Sequence, residues 1–186
     1  MQKNIKLVNK YFTLSNESNF SEINKLFRKN STYNSKNTGL FLGIDEIRPG
    51  NFVFFDIMQS NIGVCNESDI AVAVACPVVD IYPERGEILI YGGAVHLSKE
   101  YIIDKSSNKT YGKVILLKQN TWQINENSAY LSSLSQEHGI VKASKEFLNL
   151  IKIGDLLAVL PIHSCLTANL LKQYITFDSE IISMMK

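Results

Sequence analysis

Apolar residues in this chain recur at two periods, and the change from one to the other divides it. Within residues 18–30, Phe20, Ile23, Leu26 and Phe27 fall at helical spacing. Basic residues come late in the same stretch, so it reads as a short amphipathic helix matched to its own dipole. Residues 30–39 are rich in Asn, Ser, Thr and Lys and end on Gly39, which predicts an exposed loop and a boundary near residue 40. Past Ile47-Arg48-Pro49-Gly50 the period shortens. Residues 51–57, 70–81, 87–91 and 111–117 read as strands, and 122–124 add a short one. Pro77 marks a bend or an edge position in the second, and Gly92-Gly93 closes the third. Helical spacing returns at Phe147, Leu148 and Ile151 within residues 142–153, with Gly154 as the stop. Residues 155–162 form a further strand that delivers His163.

These elements predict a mainly β protein with a few helices (α+β). Its main part is an antiparallel barrel-like or sandwich-like domain over residues 44–186, preceded by a short helical segment and loop over 1–43. There is no internal repeat and no regular alternation of strand and helix. A barrel of eight strand-and-helix units needs roughly 200 to 250 residues and is excluded in a chain of 186. Nineteen Lys and Arg against eighteen Asp and Glu leave a formal charge of +1, so nothing calls for nucleic acid or an anionic membrane. The longest nearly uncharged stretch, residues 70–82, falls short of the roughly 20 residues that span a bilayer. The first residues are polar rather than signal-like, and Cys65, Cys76 and Cys165 are too few and scattered for a disulfide framework. A cytoplasmic location is expected.

Candidate chemistry concentrates in residues 158–170, where His163 and Cys165 interrupt an apolar run. On an extended backbone the two would point the same way and Ser164 the opposite way, making a two-ligand claw suited to zinc. The plainer alternative is a core histidine beside a cysteine acting as a small apolar residue. A structural zinc site would need further ligands from Cys65, Cys76, His96 or His138. A catalytic one would leave positions open to polarise an oxygen. In Ser135-Gln136-Glu137-His138-Gly139 the adjacent Glu and His are an acid–base pair or a capped turn. In Tyr91-Gly92-Gly93-Ala94-Val95-His96 the glycines allow close approach of a phosphate or form a turn, and His96 receives no role. A hydrolase built from Cys165, His138 and Glu137 would require contact across the fold.

Several stretches fall into one recognisable order. They are Asp45-Glu46-Ile47-Arg48-Pro49-Gly50-Asn51-Phe52-Val53-Phe54-Phe55-Asp56, residues 69–78, the turn through Gly92-Gly93 to Leu97-Ser98, residues 135–139, and Pro161-Ile162-His163-Ser164-Cys165. Together, over about residues 44–180, they resemble the carboxy-terminal domain of the D-threonine aldolase and D-serine dehydratase family. These are fold-type III enzymes that, like alanine racemase, use pyridoxal phosphate (PLP). The resemblance implies that His163 and Cys165 hold a divalent metal, zinc in the dehydratases, which engages the substrate β-hydroxyl. It also places His138 close to the site in a catalytic role. Tyr91-Gly92-Gly93 departs from the Asp-Ala-Gly of many relatives. The family's Schiff-base lysine and phosphate loop lie on a preceding barrel, and no lysine here stands in a matching context, residues 1–43 being at most a barrel remnant. One expectation is therefore a partial lyase for a β-hydroxy D-amino acid, inactive until a PLP-barrel subunit or a homodimer completes it. The other is a free-standing metal-binding or protein-interaction domain without catalysis.

Overall fold

Val74, Cys76 and Val78 are buried while Ala75, Pro77 and Val79 are exposed, and this alternation defines β1 (Val74–Tyr82). The same period of two runs through β2 (Glu87–Tyr91), where Ile88 and Ile90 turn inward. A computed structural model describes residue 51 and residues 53–118, 121–123 and 129–183. The expected helix over 18–30, the loop over 30–39 and the boundary near residue 40 lie outside the described residues, as does Ile124.

The remaining strands are β3 (Ile102–Ile103), β4 (Lys109–Thr110), β5 (Gly112–Lys118), β6 (Thr121–Gln123), β7 (Ala129–Leu134), β8 (His138–Lys142), β9 (Leu156–Pro161), β10 (Gln173–Ile175) and β11 (Ile181–Ser183). Four α-helices accompany them among the described residues: α1 (Ile57–Asn61), α2 (Ala94–Leu97), α3 (Lys145–Leu148) and α4 (Ser164–Leu171). Around the main sheet the order is β5-β7-β8-β2-β1-β9, and β9 pairs back onto β5 from Gly112↔Pro161 to Leu116↔Leu157. Six antiparallel strands therefore form a closed barrel. β6 folds back onto the end of β5, while β3–β4 and β10–β11 are separate two-stranded ribbons.

Two apolar clusters share the wall of this barrel. Inside it, Val74, Cys76, Ile88, Ile90, Val114 and Leu131 pack with Phe147, Leu157 and Val159. On the outer side of β5 and β9, Ile115, Ala158, Leu160 and Ile162 pack with Ile57 of α1 and with Ile70. β9 is thus covered on both faces, which is why its sequence is an unbroken apolar run. Covering the outer face brings α1 to the end of β9, where the Met58 N–H donates to the Ile162 carbonyl at 3.2 Å.

Two expectations need correction, and one pair of alternatives is decided. Residues 51–57 are not a strand: Asn51 and Phe55 have φ of 65° and 53°, and Asp56 then caps α1. Their aromatic and β-branched composition mimics a strand while the backbone turns. The helix expected over 142–153 is limited to α3, because Lys142 completes β8 and Ser144 caps the helix by accepting from the Phe147 N–H at 3.2 Å. Pro77 is not at an edge. It sits where β1 passes from pairing β9 to pairing β2, just before a register shift between Val78 and Asp80, so the bend is what it marks. Among the described residues no helix is long and apolar enough to cross a membrane.

Gly92 follows β2 where the chain passes over the barrel core. A Cβ there would lie 2.4 Å from Cys76 Sγ, and Cys76 is fully buried. Gly92→Ala is expected to destabilise the domain by about 1–3 kcal/mol in urea unfolding, with a smaller effect in a Cys76→Ala background where the sulfur is gone. Burial also pushes the Cys76 thiol up from 9.0 to about 12. The folded state holds this proton more tightly than the unfolded chain does. That contribution is complete below about pH 9 and is lost as pH rises through 12. The wild type should therefore lose stability over this range faster than Cys76→Ala.

Candidate functional site

The strand-to-helix junction at the end of β9 carries the expected metal ligands. β9 ends at Pro161, Ile162 is buried, and α4 begins at Ser164. His163 is the N-cap residue, with φ of −132° and ψ of 100°, and its imidazole makes no capping hydrogen bond. It is half-buried, Ser164 is buried and Cys165 is exposed. The strand geometry expected for the pair is therefore not what carries it. His163 is extended but Cys165 already lies in the helix, so the alternation of side chains along a strand does not apply. Both side chains are nonetheless without a partner among the described residues. One imidazole and one thiol suit a borderline-soft divalent ion. No group of three His, Cys, Asp or Glu side chains stands together among the described residues. A metal held here would thus keep positions for water, for substrate or for ligands from elsewhere.

Beneath the pair lies a residue to which the sequence assigned no role. Asp56 has 0% exposure. One carboxylate oxygen accepts from the Gln59 N–H at 2.9 Å and caps α1. The other accepts from the Ser164 N–H at 2.8 Å and from the Asn51 side-chain amide. Ser164 Oγ in turn donates to Asn51 Oδ1. The signal available in sequence was the Asn51-to-Asp56 stretch of the opening motif, but its contact lies 108 residues away.

The other two candidates come together in a second cluster. Tyr91 pairs with His138 across β2 and β8, and their rings meet edge-on at 5.5 Å. The His96 ring lies 5.1 Å from that of Tyr91, and His96 Nδ1 accepts from the Gly93 N–H at 3.1 Å. The Ala94 and Val95 N–H groups donate to the carbonyls of Ser135 and Gln136 at 3.0 and 3.1 Å. A Cβ on Gly93 would meet the Gln136 carbonyl at 2.5 Å, so the second glycine is there for close approach of this turn. Residues 135–138 themselves form a tight hairpin turn, in which the Ser135 N–H donates to the His138 carbonyl and the His138 N–H to Ser135 Oγ. Glu137 is exposed at its tip. α2 is also tied to α4, through Thr167 Oγ1 donating to the Leu97 carbonyl at 3.4 Å.

A cavity of about 680 Å³ opens beside α4. Its lining is mainly apolar, including Phe54, Leu117, Trp122, Leu171, Tyr174 and Phe177, with Tyr91 and His96 also on its wall. His138, His163 and Cys165 do not line it. The cavity and the expected metal ligands therefore use different parts of the same helix.

Comparison with known proteins fits this arrangement. The family model of the serine dehydratase domain matches residues 71–177. The chain is 33% identical over 153 residues to D-serine dehydratase of Dictyostelium discoideum, covering 77% of this chain and 36% of that protein. It is 29% identical over 131 residues to D-threo-3-hydroxyaspartate dehydratase of Delftia sp. strain HT23, covering 67% of this chain and 33% of that protein. Among solved structures, an alanine racemase-like protein of Idiomarina loihiensis has a TM-score of 0.59 at 28% identity, over 70% of this chain and 35% of that one. A cysteine-to-alanine variant of D-threo-3-hydroxyaspartate dehydratase in its metal-free form has a TM-score of 0.59 at 26% identity, over 71% and 36%. The chain spans about a third of the length of the curated relatives it matches. With its six barrel strands all inside the matched span, the chain belongs to the serine dehydratase domain family.

Proposed function

We propose that this domain is the metal-bearing part of a D-serine dehydratase-like lyase. His163 and Cys165 hold one divalent cation, zinc by the chemistry of the donors, and a PLP barrel is supplied from outside the described domain. The observation that carries the reading is the pair itself, an imidazole and a thiol without a partner among the described residues at the start of α4 in a chain of this family. A related dehydratase is known as a cysteine-to-alanine variant in a metal-free form, which is in keeping with a cysteine and a metal both mattering in that protein. The chemistry that such an ion would supply, held by His163 and Cys165, is Lewis-acid polarisation of the β-hydroxyl of a D-amino acid. The chain's own contribution is placement: His163 and Cys165 project from a junction of two rigid elements. His138 keeps the acid–base role in this reading, as one of the two imidazoles whose rings contact Tyr91.

None of the cavity-lining residues is a lysine. Lys113 pairs with Glu67, Lys142 pairs with Glu87, and Lys109 lies 4.0 Å over the Tyr101 ring. In this reading the cofactor lysine lies on a PLP barrel outside the described residues, for example on a partner subunit. The apolar cavity favours a second reading, a protein-interaction domain that works without catalysis.

Metal analysis of the purified protein should give up to one equivalent of zinc, and His163→Ala or Cys165→Ser should lower it. Equal content in all three removes the metal assignment. In the native protein one thiol should react with Ellman's reagent and be protected by zinc, because Cys65 and Cys76 are buried and Cys165 is exposed. Persistence of that reactivity in Cys165→Ser would contradict the placement. The protein alone, given PLP and zinc, should release no pyruvate from D-serine. Turnover without a partner would overturn the shared-site part of the proposal.

A further inference from the structure

Burying a carboxylate is costly unless its oxygens are fully hydrogen-bonded. Capping α1 occupies only one oxygen of Asp56, through the Gln59 N–H. The second oxygen is directed away from α1, to the Ser164 N–H and the Asn51 amide. Ser164 closes the loop by donating its hydroxyl to Asn51 Oδ1, and it is only 1% exposed. The residue between the two proposed ligands is thereby held at both its amide and its side chain. Clamping Ser164 inward sets the backbone from which His163 and Cys165 leave, the first half-buried and the second exposed.

We propose that Asp56 is a positioning residue for the His163 and Cys165 pair, acting through Ser164 and Asn51. This inference rests on the metal reading above. A pre-set junction spares the pair the ordering that two ligands on a loose turn would undergo on binding. Outer partners of this kind typically change metal affinity by about 10–100-fold when altered. Asp56→Asn separates the two functions of the carboxylate. Its remaining oxygen can still cap α1, while its amide places a donor against the Ser164 N–H or the Asn51 amide. Ser164→Ala removes only the hydroxyl arm and leaves the amide bond to Asp56.

The test is Co2+ binding to the full chain, followed by the thiolate-to-cobalt absorbance and by chelator competition, with Tm measured on every variant. Phe147→Leu, in the barrel core away from the junction, calibrates what loss of stability does by itself. Asp56→Asn should weaken Co2+ binding about tenfold or more, Ser164→Ala by less, and Phe147→Leu not at all at a comparable fall in Tm. If Asp56→Asn does not fold, Asn51→Gly carries the test. Glycine tolerates the φ of 65° at that position while both side-chain arms are lost. Wild-type affinity in Asp56→Asn, or in Asn51→Gly where that variant carries the test, overturns the inference while leaving the metal reading intact. So does a loss that Phe147→Leu reproduces. A wild type without any thiolate-to-cobalt band overturns the metal reading and this inference with it.

Discussion

Pairing of β5 with β9 is the constraint on which the rest of the arrangement depends. Without it the seven-stranded sheet would be open and would present two unsatisfied edges to solvent. With it, residues of β9 alternate between the barrel interior and an outer face that is itself apolar. Leu157 and Val159 fill the interior, whereas Ala158, Leu160 and Ile162 need a second cover. Fully burying a side chain of this size contributes about 1.5–3 kcal/mol, so the outer face is a strong reason for α1 to dock there. Docking α1 in turn brings Asp56, its cap, to the end of β9. The polar link to Ser164 is thus a consequence of how the apolar wall is closed.

The legibility of the sequence follows the same physics. Residues 87–91 read as a strand and are one, because Glu-Ile-Leu-Ile-Tyr is a short run rich in β-branched and aromatic residues bounded by glycines. β5 was legible for similar reasons. β7 and β8 were not read as strands, since Ser132, Ser133 and Ser135 dilute the pattern and the pairing that makes them strands lies across a hairpin. α4 was invisible for a different reason: the apolar run of β9 flows into it, and its N-cap is a histidine with no side-chain cap bond. That one omission also misdirected the geometry of His163 and Cys165. His163 and Cys165 were legible as a candidate pair from spacing, but the buried carboxylate behind them was not, because the bond between Asp56 and Ser164 spans 108 positions.

The two clusters of chemistry meet through helices. α2 carries His96 and is fixed at its start by the carbonyls of Ser135 and Gln136. Its end is fixed by Thr167 of α4, whose hydroxyl reaches the Leu97 carbonyl. Tyr91, His96 and His138 are therefore mechanically continuous with the helix that begins at His163. Glycine at positions 92 and 93 is what allows this, since a side chain at either would strike Cys76 or the Gln136 backbone.

The division of labour along α4 bears on how a larger assembly could use the domain. The first turn is held from below by Asp56, the middle by Leu97, and the later residues Ala168 and Leu171 line the apolar cavity. A chain seated in that cavity would press on the helix at the opposite end from the proposed ligands. Because the first turn is anchored by hydrogen bonds to a buried carboxylate and not by the cavity, the ligand geometry does not require the cavity to be filled. Metal binding and partner binding would then be separable properties of one helix, the former intrinsic to the domain and the latter added to it.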